Sequence, residues 1–132
     1  MSVPLPDKAK ELLDAKNVVT VATINPDGSP QTSILWATYD GDDLLLSTIE
    51  SRAKHRNLSR DPRISVLIHD HATSSSNYVE VRGTVTMTRE GGPELIERLS
   101  QIYDGERFAG DDGKPERVRV VLRLTPQHVV DY

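Results

Sequence analysis

The sequence predicts a small antiparallel β-barrel of about six strands with three short helices. Segments rich in β-branched and aliphatic residues follow one another through short turn signals, which favours sequential hairpins over βαβ winding. Three segments show apolar residues at helical spacing or helix-boundary signals. At 132 residues the chain has the length of one domain, so we expect a single domain spanning residues 1–132.

The first half of the chain predicts one helix followed by three strands joined by hairpins. Apolar residues at helical spacing predict a helix over residues 6–16. The period then changes, and strands are predicted over residues 18–24, 30–39 and 44–48, separated by the turn signals NPDG and DGDD. Such short connections make an antiparallel meander, in which the middle strand pairs on both sides.

The second half predicts two more helices and three more strands. In chain order these are a basic helix that Ser51 caps and Pro62 ends, strands over residues 64–68 and 78–88, a helix over 94–103, and a strand over 118–124 that residues 127–132 extend past Pro126. Residues 69–77 are rich in Ser, and residues 104–116 are rich in Gly and Asp. Both segments are therefore predicted as loops.

Composition and missing motifs exclude several classes of protein. The formal net charge of −4 argues against a nucleic-acid binder, since such domains are usually basic. The absence of Cys excludes disulfides and a thiol nucleophile, and no apolar run approaches membrane-spanning length. The Rossmann, P-loop, G-x-S-x-G and H-E-x-x-H patterns are missing as well. We expect a soluble, cytoplasmic protein without a membrane or nucleic-acid partner.

A metal site is also not expected. His69 and His71 alternate along a strand end, where they share a face and could supply two ligands. No third ligand lies near them in the sequence, so two solvated imidazoles are the simpler interpretation.

The basic segment SRAKHRNL, residues 51–58, has helix charges of unusual sign. The first turn of a helix favours acids, because free N–H groups and the macrodipole make that end positive. Arg52 and Lys54 occupy it instead. The helical step places Lys54 beside Leu58, the best core-facing residue, so its stem should run along the interior side. An inward cation beside free N–H groups and the Ser51 hydroxyl predicts a bound phosphate, and a solvated face is the alternative.

The strand predicted over residues 30–39 supplies a second candidate feature. Gln31, Thr32, Ser33 and the only Trp, Trp36, place polar groups and a large aromatic ring on one strand. One interpretation is a strand with one solvated face. The other is a flat cofactor ring lying against the strand, with its heteroatoms bound by backbone and side-chain groups.

The order of these parts resembles the pyridoxamine 5′-phosphate oxidase-like flavin-binding split-barrel superfamily, and is closest to its actinobacterial branch of deazaflavin (coenzyme F420)-dependent reductases. The resemblance covers residues 8–132 and includes the stretches NPDGSPQTSILWATYDGDDLLLST, SRAKHRNLSRDPRISVLI and NYVEVRGTVTM. Its most specific parts are RAK at 52–54, RNL at 56–58 and DPR at 61–63. It implies a mainly β fold, a six-stranded antiparallel split β-barrel with three short helices, that forms a homodimer.

The resemblance also implies two equivalent cofactor sites at the dimer interface. In each site Arg52 and Lys54 would bind the cofactor phosphate, helped by the hydroxyls of Ser47 and Thr48. The segment 31–33 would line the tricyclic ring. Ser76, Asn77 and Tyr78 would reach the ring from the other subunit.

The function implied is that of an F420H2-dependent reductase. Such an enzyme transfers hydride from C5 of the deazaflavin to an electron-poor small molecule of the enone, quinone, lactone or tetrapyrrole type. FMN stays an alternative cofactor, because it offers a ribityl phosphate to the same two cations, and a non-catalytic F420 or FMN carrier would share every residue named. The chain ends at Tyr132 without the Arg-bearing extension of oxidases that act on pyridoxamine phosphate, so that activity is not expected.

The sequence identifies no catalytic residue and offers several candidates for binding the tail of the cofactor. No Asp/His pair suggests a general acid, which leaves Tyr78 and Tyr132 as weak candidates for a proton donor. The polyanionic tail of the deazaflavin could meet Arg56, Lys8 or Lys10.

Overall fold

The computed structural model describes residues 1–73 and 76–131, and these form three α-helices and seven β-strands in one antiparallel sheet. In chain order the elements are α1 (Asp7–Asp14), β1 (Val19–Ile24), β2 (Pro30–Leu35), β3 (Ala37–Asp40), β4 (Asp43–Ile49), α2 (Ala53–Arg60), β5 (Arg63–His69), β6 (Tyr78–Thr88), α3 (Gly92–Tyr103) and β7 (Arg119–Asp131). The mainly β class and the three helices are confirmed. The described strands number seven instead of the six predicted, because one predicted strand is interrupted at Trp36.

The strand predicted over residues 30–39 is interrupted at Trp36. The strand order is β2-β1-β5-β6-β7-β4-β3, so the two halves of this segment lie at opposite ends of the sheet. The prediction that it pairs on both sides is therefore wrong, since β2 pairs with β1 and β3 pairs with β4. The physical reason is the Tyr103 hydroxyl, which accepts the N–H of Ala37 at 3.2 Å and donates to its carbonyl at 3.0 Å. Because one residue joins the two edges, the sheet must curl into a split barrel.

Two apolar clusters lie on opposite faces of this curled sheet. The main core fills the barrel with the inward residues of the strands and the apolar faces of α1 and α2. Strand β4 contributes Leu44 and Leu46 to it. The second cluster lies between α3 and the outer face of β4 and β7, where Leu45 and Val121 meet Leu99. Successive residues of β4 thus face different environments, as the two-residue period of a strand requires.

Strand β7 runs without a break through Pro126 to Asp131, which confirms the predicted extension as far as Asp131. Tyr132 lies outside the described residues. The strand tolerates Pro126 because the β6–β7 register shifts between Arg82 and Gly83, where Gly83 lies opposite Pro126. A Cβ on Gly83 would lie 2.1 Å from the carbonyl oxygen of Thr125, so this crossing requires glycine.

Helix α2 begins one residue later than the sequence suggests. Ser51 was predicted as its N-cap, but the capping position is held by Arg52, and no side chain caps the helix. Ser51 instead has a φ of 73°, a left-handed conformation that turns the chain out of β4, and its N–H donates to Nδ1 of His55 at 3.1 Å. The first-turn N–H groups of α2 are thus left without a side-chain acceptor.

Candidate functional site

Helix α2 is fixed to the barrel by one buried polar residue. Asn57 is 3% exposed, and its Nδ2 donates to Oγ1 of Thr23 and to Oδ1 of Asn25, both at 3.1 Å. Thr23 in turn donates to Oε1 of Gln31 at 3.3 Å. With Leu58 in the main core, these bonds fix the start of β2 and the inner face of α2 beside each other.

Lys54 lies on that inner face, one turn before Asn57 and Leu58. Its side chain is half-buried, and no described residue forms a hydrogen bond or ion pair with its ammonium group. Burial lowers the pKa of Lys54, and the positive charge of Arg52 lowers it further. A partly desolvated cation beside a second cation is an arrangement that an anion would stabilise.

The basic segment extends beyond residue 58 to Arg63, and its other cations already form hydrogen bonds. Within the described residues, Arg56 donates to the carbonyl of Ser51, Arg60 to the carbonyl of Ile24, and Arg63 to the carboxylate of Asp61. The bidentate contact with Arg63 holds the pKa of Asp61 at about 2. Arg52 is exposed and, among the described residues, its side chain forms no such bond. Arg52 and Lys54 are thus the two cations of this segment whose side chains form no hydrogen bond or ion pair with another described residue.

Strand β2 presents Gln31 and Ser33 on a different face from Thr32. Gln31 and Ser33 lie opposite the inward residues Thr23 and Val21 of β1, whereas Thr32 lies opposite Ala22 on the outer face. The Ser33 Oγ is buried and, in the described part of the chain, has no hydrogen-bond partner. Because β2 ends the strand order, its second edge also has unpaired backbone groups. The strand therefore offers polar groups to a planar ligand along this edge.

Trp36 lines a cleft at the far end of β2, but its ring is held by α3. The rings of Trp36 and Tyr103 stack at a centroid distance of 5.5 Å. Ser47 shares this cleft, which measures about 240 Å³, while Thr48 is buried on the opposite, inward face of β4. The two strand-end hydroxyls therefore do not meet at one point in this structure.

Arg119 is a site residue that sequence reasoning missed. Its guanidinium donates to the Ser47 Oγ at 3.4 Å and forms a bidentate contact with Asp111 at 2.7 and 3.2 Å. Arg119 reaches Ser47 because β7 pairs with β4, with Val121 opposite Ser47. That pairing joins strands far apart in the chain, so no local pattern in the sequence could have indicated it.

The predicted contacts Ser76, Asn77 and Tyr78 lie at the other end of the barrel. Tyr78 is opposite His69 at the end of β5, and the Asn77 Nδ2 donates to Asp70 at 3.2 Å. Arg63, which follows α2, begins the same strand, so roughly 20 Å separates the two ends. A single chain does not bring these residues to Lys54, and their contribution from a second subunit stays a prediction.

The curled antiparallel sheet and the helix that begins with two cations, unpaired among the described residues, define a split-barrel protein with a candidate phosphate site. The chain matches the family model for pyridoxamine 5′-phosphate oxidase over residues 5–131. It belongs to the pyridoxamine 5′-phosphate oxidase family. The resemblance seen in the sequence is thereby confirmed at the level of the superfamily.

Solved structures show the same fold. The chain is similar to a protein named F420 reductase, with 26% identity and a TM-score of 0.81, over 96% of this chain and 98% of that one. It is also similar to a conserved hypothetical protein from Mycobacterium tuberculosis, with 25% identity and a TM-score of 0.73, over 97% and 84% of the two chains. General Stress Protein 26 from Bacillus anthracis shares the fold at 15% identity, with a TM-score of 0.69 over 93% and 89% of the chains.

Two further observations concern the described residues alone. None of their helices combines the length and apolar character needed to cross a membrane. No three of their His, Asp or Glu side chains come together as metal ligands, although the rings of His69 and His71 lie 5.1 Å apart.

The Tyr103 hydroxyl yields a testable prediction about this site. It accepts the N–H of Ala37 and shares its one hydrogen between the carbonyls of Asn17, at 2.7 Å, and Ala37, at 3.0 Å, so the substitution Tyr103→Phe removes this partner from all three groups. We expect the free energy of unfolding to fall by about 1–2 kcal/mol. Urea denaturation, followed through the fluorescence of Trp36 that stacks on Tyr103, measures both the stability and the ring's environment. An unchanged midpoint and emission maximum would show that Tyr103 does not hold the strand break.

Proposed function

We propose that this protein is an F420H2-dependent reductase. The observation that supports this most is the pair Arg52 and Lys54 at the start of α2, one of them half-buried and both without an acid partner among the described residues. The similarity to a protein named F420 reductase along 96% of the chain favours the deazaflavin. When bound, this cofactor supplies a hydride from C5 to an electron-poor acceptor of the enone, quinone, lactone or tetrapyrrole type.

The residues present fit such a cofactor. A phosphate near the start of α2 would accept hydrogen bonds from its uncapped N–H groups and lie close to Lys54 and Arg52, with Ser47 and Thr48 on the adjoining strand. The ring would lie along the open edge of β2, where the Ser33 Oγ lacks a partner and Gln31 is oriented by Thr23. Trp36 would cover the ring at the far end of β2. The chain's own role is to hold and orient the cofactor and to keep water from one ring face.

We also propose that the active form is a homodimer. Ile34 is 68% and Leu67 is 37% exposed, and both lie beside Thr20 of β1 on the outer face of the sheet. An apolar pair at this position is suited to contact with a second subunit. That subunit would bring Ser76, Asn77 and Tyr78 to the ring. Because the chain has no Cys, a reducing, cytoplasmic location fits as well.

A second candidate function is that of an FMN-binding oxidoreductase. The match to the pyridoxamine 5′-phosphate oxidase family favours it, since FMN carries a phosphate that Arg52 and Lys54 would bind equally well. A carrier that binds F420 without turnover would use the same residues.

Equilibrium binding and turnover together separate these functions. Titration of the purified protein with F420 and with FMN is expected to show tighter binding of F420. Steady-state oxidation of F420H2 should then proceed with at least one member of a panel of quinones, enones and lactones. Tight F420 binding without any turnover would favour the carrier, and a yellow protein that prefers FMN would favour the second candidate.

A further inference from the structure

The loop between α3 and β7 forms a second cleft, which we call the basic cleft. It measures about 430 Å³ and lies between the first two turns of α3 and the segment 108–119. Its apolar walls are formed by Pro93, Ile96, Phe108, Pro115 and Val118. It is therefore shaped to hold an apolar body of small-molecule size.

Cations outnumber acids around the basic cleft. Four cations line it, namely Arg89, Lys114, Arg117 and Arg119, against the two lining acids Glu97 and Asp111; Arg89 is paired with Glu50, which lies outside the lining. Both acids are already engaged: Asp111 accepts the bidentate contact of Arg119, and Glu97 accepts the N–H of Phe108 at 3.1 Å. Hydrogen bonds from Gln101 and from the N–H of Phe108 lower the pKa of Glu97, and the contact with Arg119 lowers the pKa of Asp111, so both carboxyls stay ionised at neutral pH. An excess of positive charge is unusual in a chain of net charge −4.

Two of these cations converge on one neutral oxygen. The ammonium of Lys114 donates to the carbonyl of Gly110 at 3.4 Å, and Nη1 of Arg117 donates to the same carbonyl at 3.2 Å. Arg117 is 3.7 Å from Asp111, which Arg119 already binds more closely, and no acid in the described part of the chain pairs with Lys114. Lys114 and Arg117 bind the same oxygen, so their like charges repel each other, and an anion that contacts both would replace this repulsion by two attractions.

The walls of the basic cleft are fixed before any ligand arrives. The Ser100 hydroxyl donates to the carbonyl of Glu106 at 2.8 Å, and Glu97 binds the N–H of Phe108, so α3 holds the loop at two points. The guanidinium of Arg119 lies 5.0 Å from the centre of the Phe108 ring, which it holds against the cleft. A preformed cleft avoids the entropic cost of ordering a loop on binding.

We propose that the basic cleft is a binding site for an organic anion. Its carboxylate or phosphate would lie between Lys114 and Arg117, and its apolar body would lie against Phe108 and Ile96. This site is centred on Lys114 and Arg117 and not on Lys54, but it adjoins the site at α2: Arg119 lines it and also binds Ser47, and Glu50, directly before Ser51, donates its N–H to the carbonyl of Val118 at 2.9 Å. The anion could therefore be a separate acid or the acidic tail of a cofactor bound at α2.

Binding experiments with two defined acids test this proposal. Phenylacetate and triglutamate are titrated into the intact protein, the first as a separate acid with an apolar body and the second as a stand-in for an acidic tail. The double variant Lys114→Ala/Arg117→Ala should bind at least one of them tenfold or more weakly than the wild type. The double variant Arg98→Ala/Arg107→Ala is the matched control: it removes the same charge from α3 and from the same loop, outside the cleft lining. It should bind as the wild type does.

The source of the anion is resolved by two further titrations of the Lys114→Ala/Arg117→Ala variant. Weaker binding of F420 with unchanged binding of FMN assigns the cleft to an acidic tail, while unchanged binding of both with loss of phenylacetate assigns it to a separate acid.

Lys54→Ala should leave phenylacetate binding intact, so the proposal can fail or succeed independently of the proposed function. Equal binding of both acids by all variants, or equal losses in the two double variants, would overturn it. Lys114 is exposed, so Lys114→Ala alone provides the same test if the double variant does not fold.

Discussion

The substitution Lys54→Ala is expected to weaken binding of the phosphate-bearing cofactor by about 1.5–3 kcal/mol, or roughly 10- to 150-fold in the dissociation constant. Lys54 is half-buried, so its contact with a phosphate would be less screened than one at the surface. Equilibrium titration of F420, and of FMN, into the wild type and the variant measures the loss directly. Both cofactors should be affected alike, since they share the phosphate.

Arg63→Ala is the matched control for this prediction. Arg63 belongs to the same basic segment, but it is exposed and its guanidinium is held by Asp61. Its removal lowers the local positive charge by the same amount, so a general electrostatic effect would appear in both variants. Unchanged affinity in Lys54→Ala, or an equal loss in Arg63→Ala, would contradict the phosphate site at α2.

The charge of Lys54, which should strengthen cofactor binding, should lower the stability of the protein when no cofactor is bound. Burial lowers the pKa of Lys54, which means that the folded state disfavours its charged form. The free energy of unfolding should therefore rise as the pH increases through the pKa of Lys54 in the folded state towards its ordinary pKa of 10.5. Lys54→Met removes the charge and should abolish this rise, while making the free protein no less stable at neutral pH. Cofactor affinity should fall over the same pH range, because neutral Lys54 no longer attracts the phosphate. Titration with cofactor and denaturation without it therefore measure the two effects of Lys54 separately.

The position of Lys54 was predictable because it depends on local geometry alone. Helical periodicity places Lys54 beside Leu58, and both lie on the buried side of α2 in the structure. The start of the same helix was not predictable. Ser51 has the residue type of an N-cap, but the turn out of β4 requires a left-handed residue at this point, and its N–H is taken by His55. A local propensity was overridden by the path that the chain must follow.

The break at Trp36 and the contact of Arg119 with Ser47 depend on residues far away in the chain. Tyr103 lies 66 residues after Ala37, and Arg119 lies 72 residues after Ser47. Residues 30–39 by themselves carry the pattern of one continuous strand, which is why the sequence predicts six strands. The fold class is still predicted correctly, because the strands of the barrel need the same alternation of inward and outward residues whether that strand is whole or split.

Asn57→Ala is expected to lower the free energy of unfolding by about 2–3 kcal/mol. The Asn57 side chain is almost fully buried, and its amide holds the β1 residues and turn that α2 packs against, through Thr23 and Asn25. Its loss leaves buried polar atoms without a partner and a small cavity between α2 and β1. Urea denaturation measures the change. Ser59→Ala is the matched control, because Ser59 is exposed on the same helix and its hydroxyl bonds only the carbonyl of His55. It should change stability by less than about 0.5 kcal/mol.

The same substitution separates positioning from direct contact with the cofactor. Asn57 lies one turn after Lys54, and its bonds to β1 determine where the ammonium lies relative to the open edge of β2. At a temperature where Asn57→Ala is still folded, F420 affinity should fall, and the combined variant Lys54→Ala/Asn57→Ala should bind no more weakly than Lys54→Ala alone. Such non-additivity is expected when one residue acts through another. Additive losses would mean that Asn57 contributes to the site by a route other than Lys54, for instance through Thr23 and Gln31 on the strand that would line the ring.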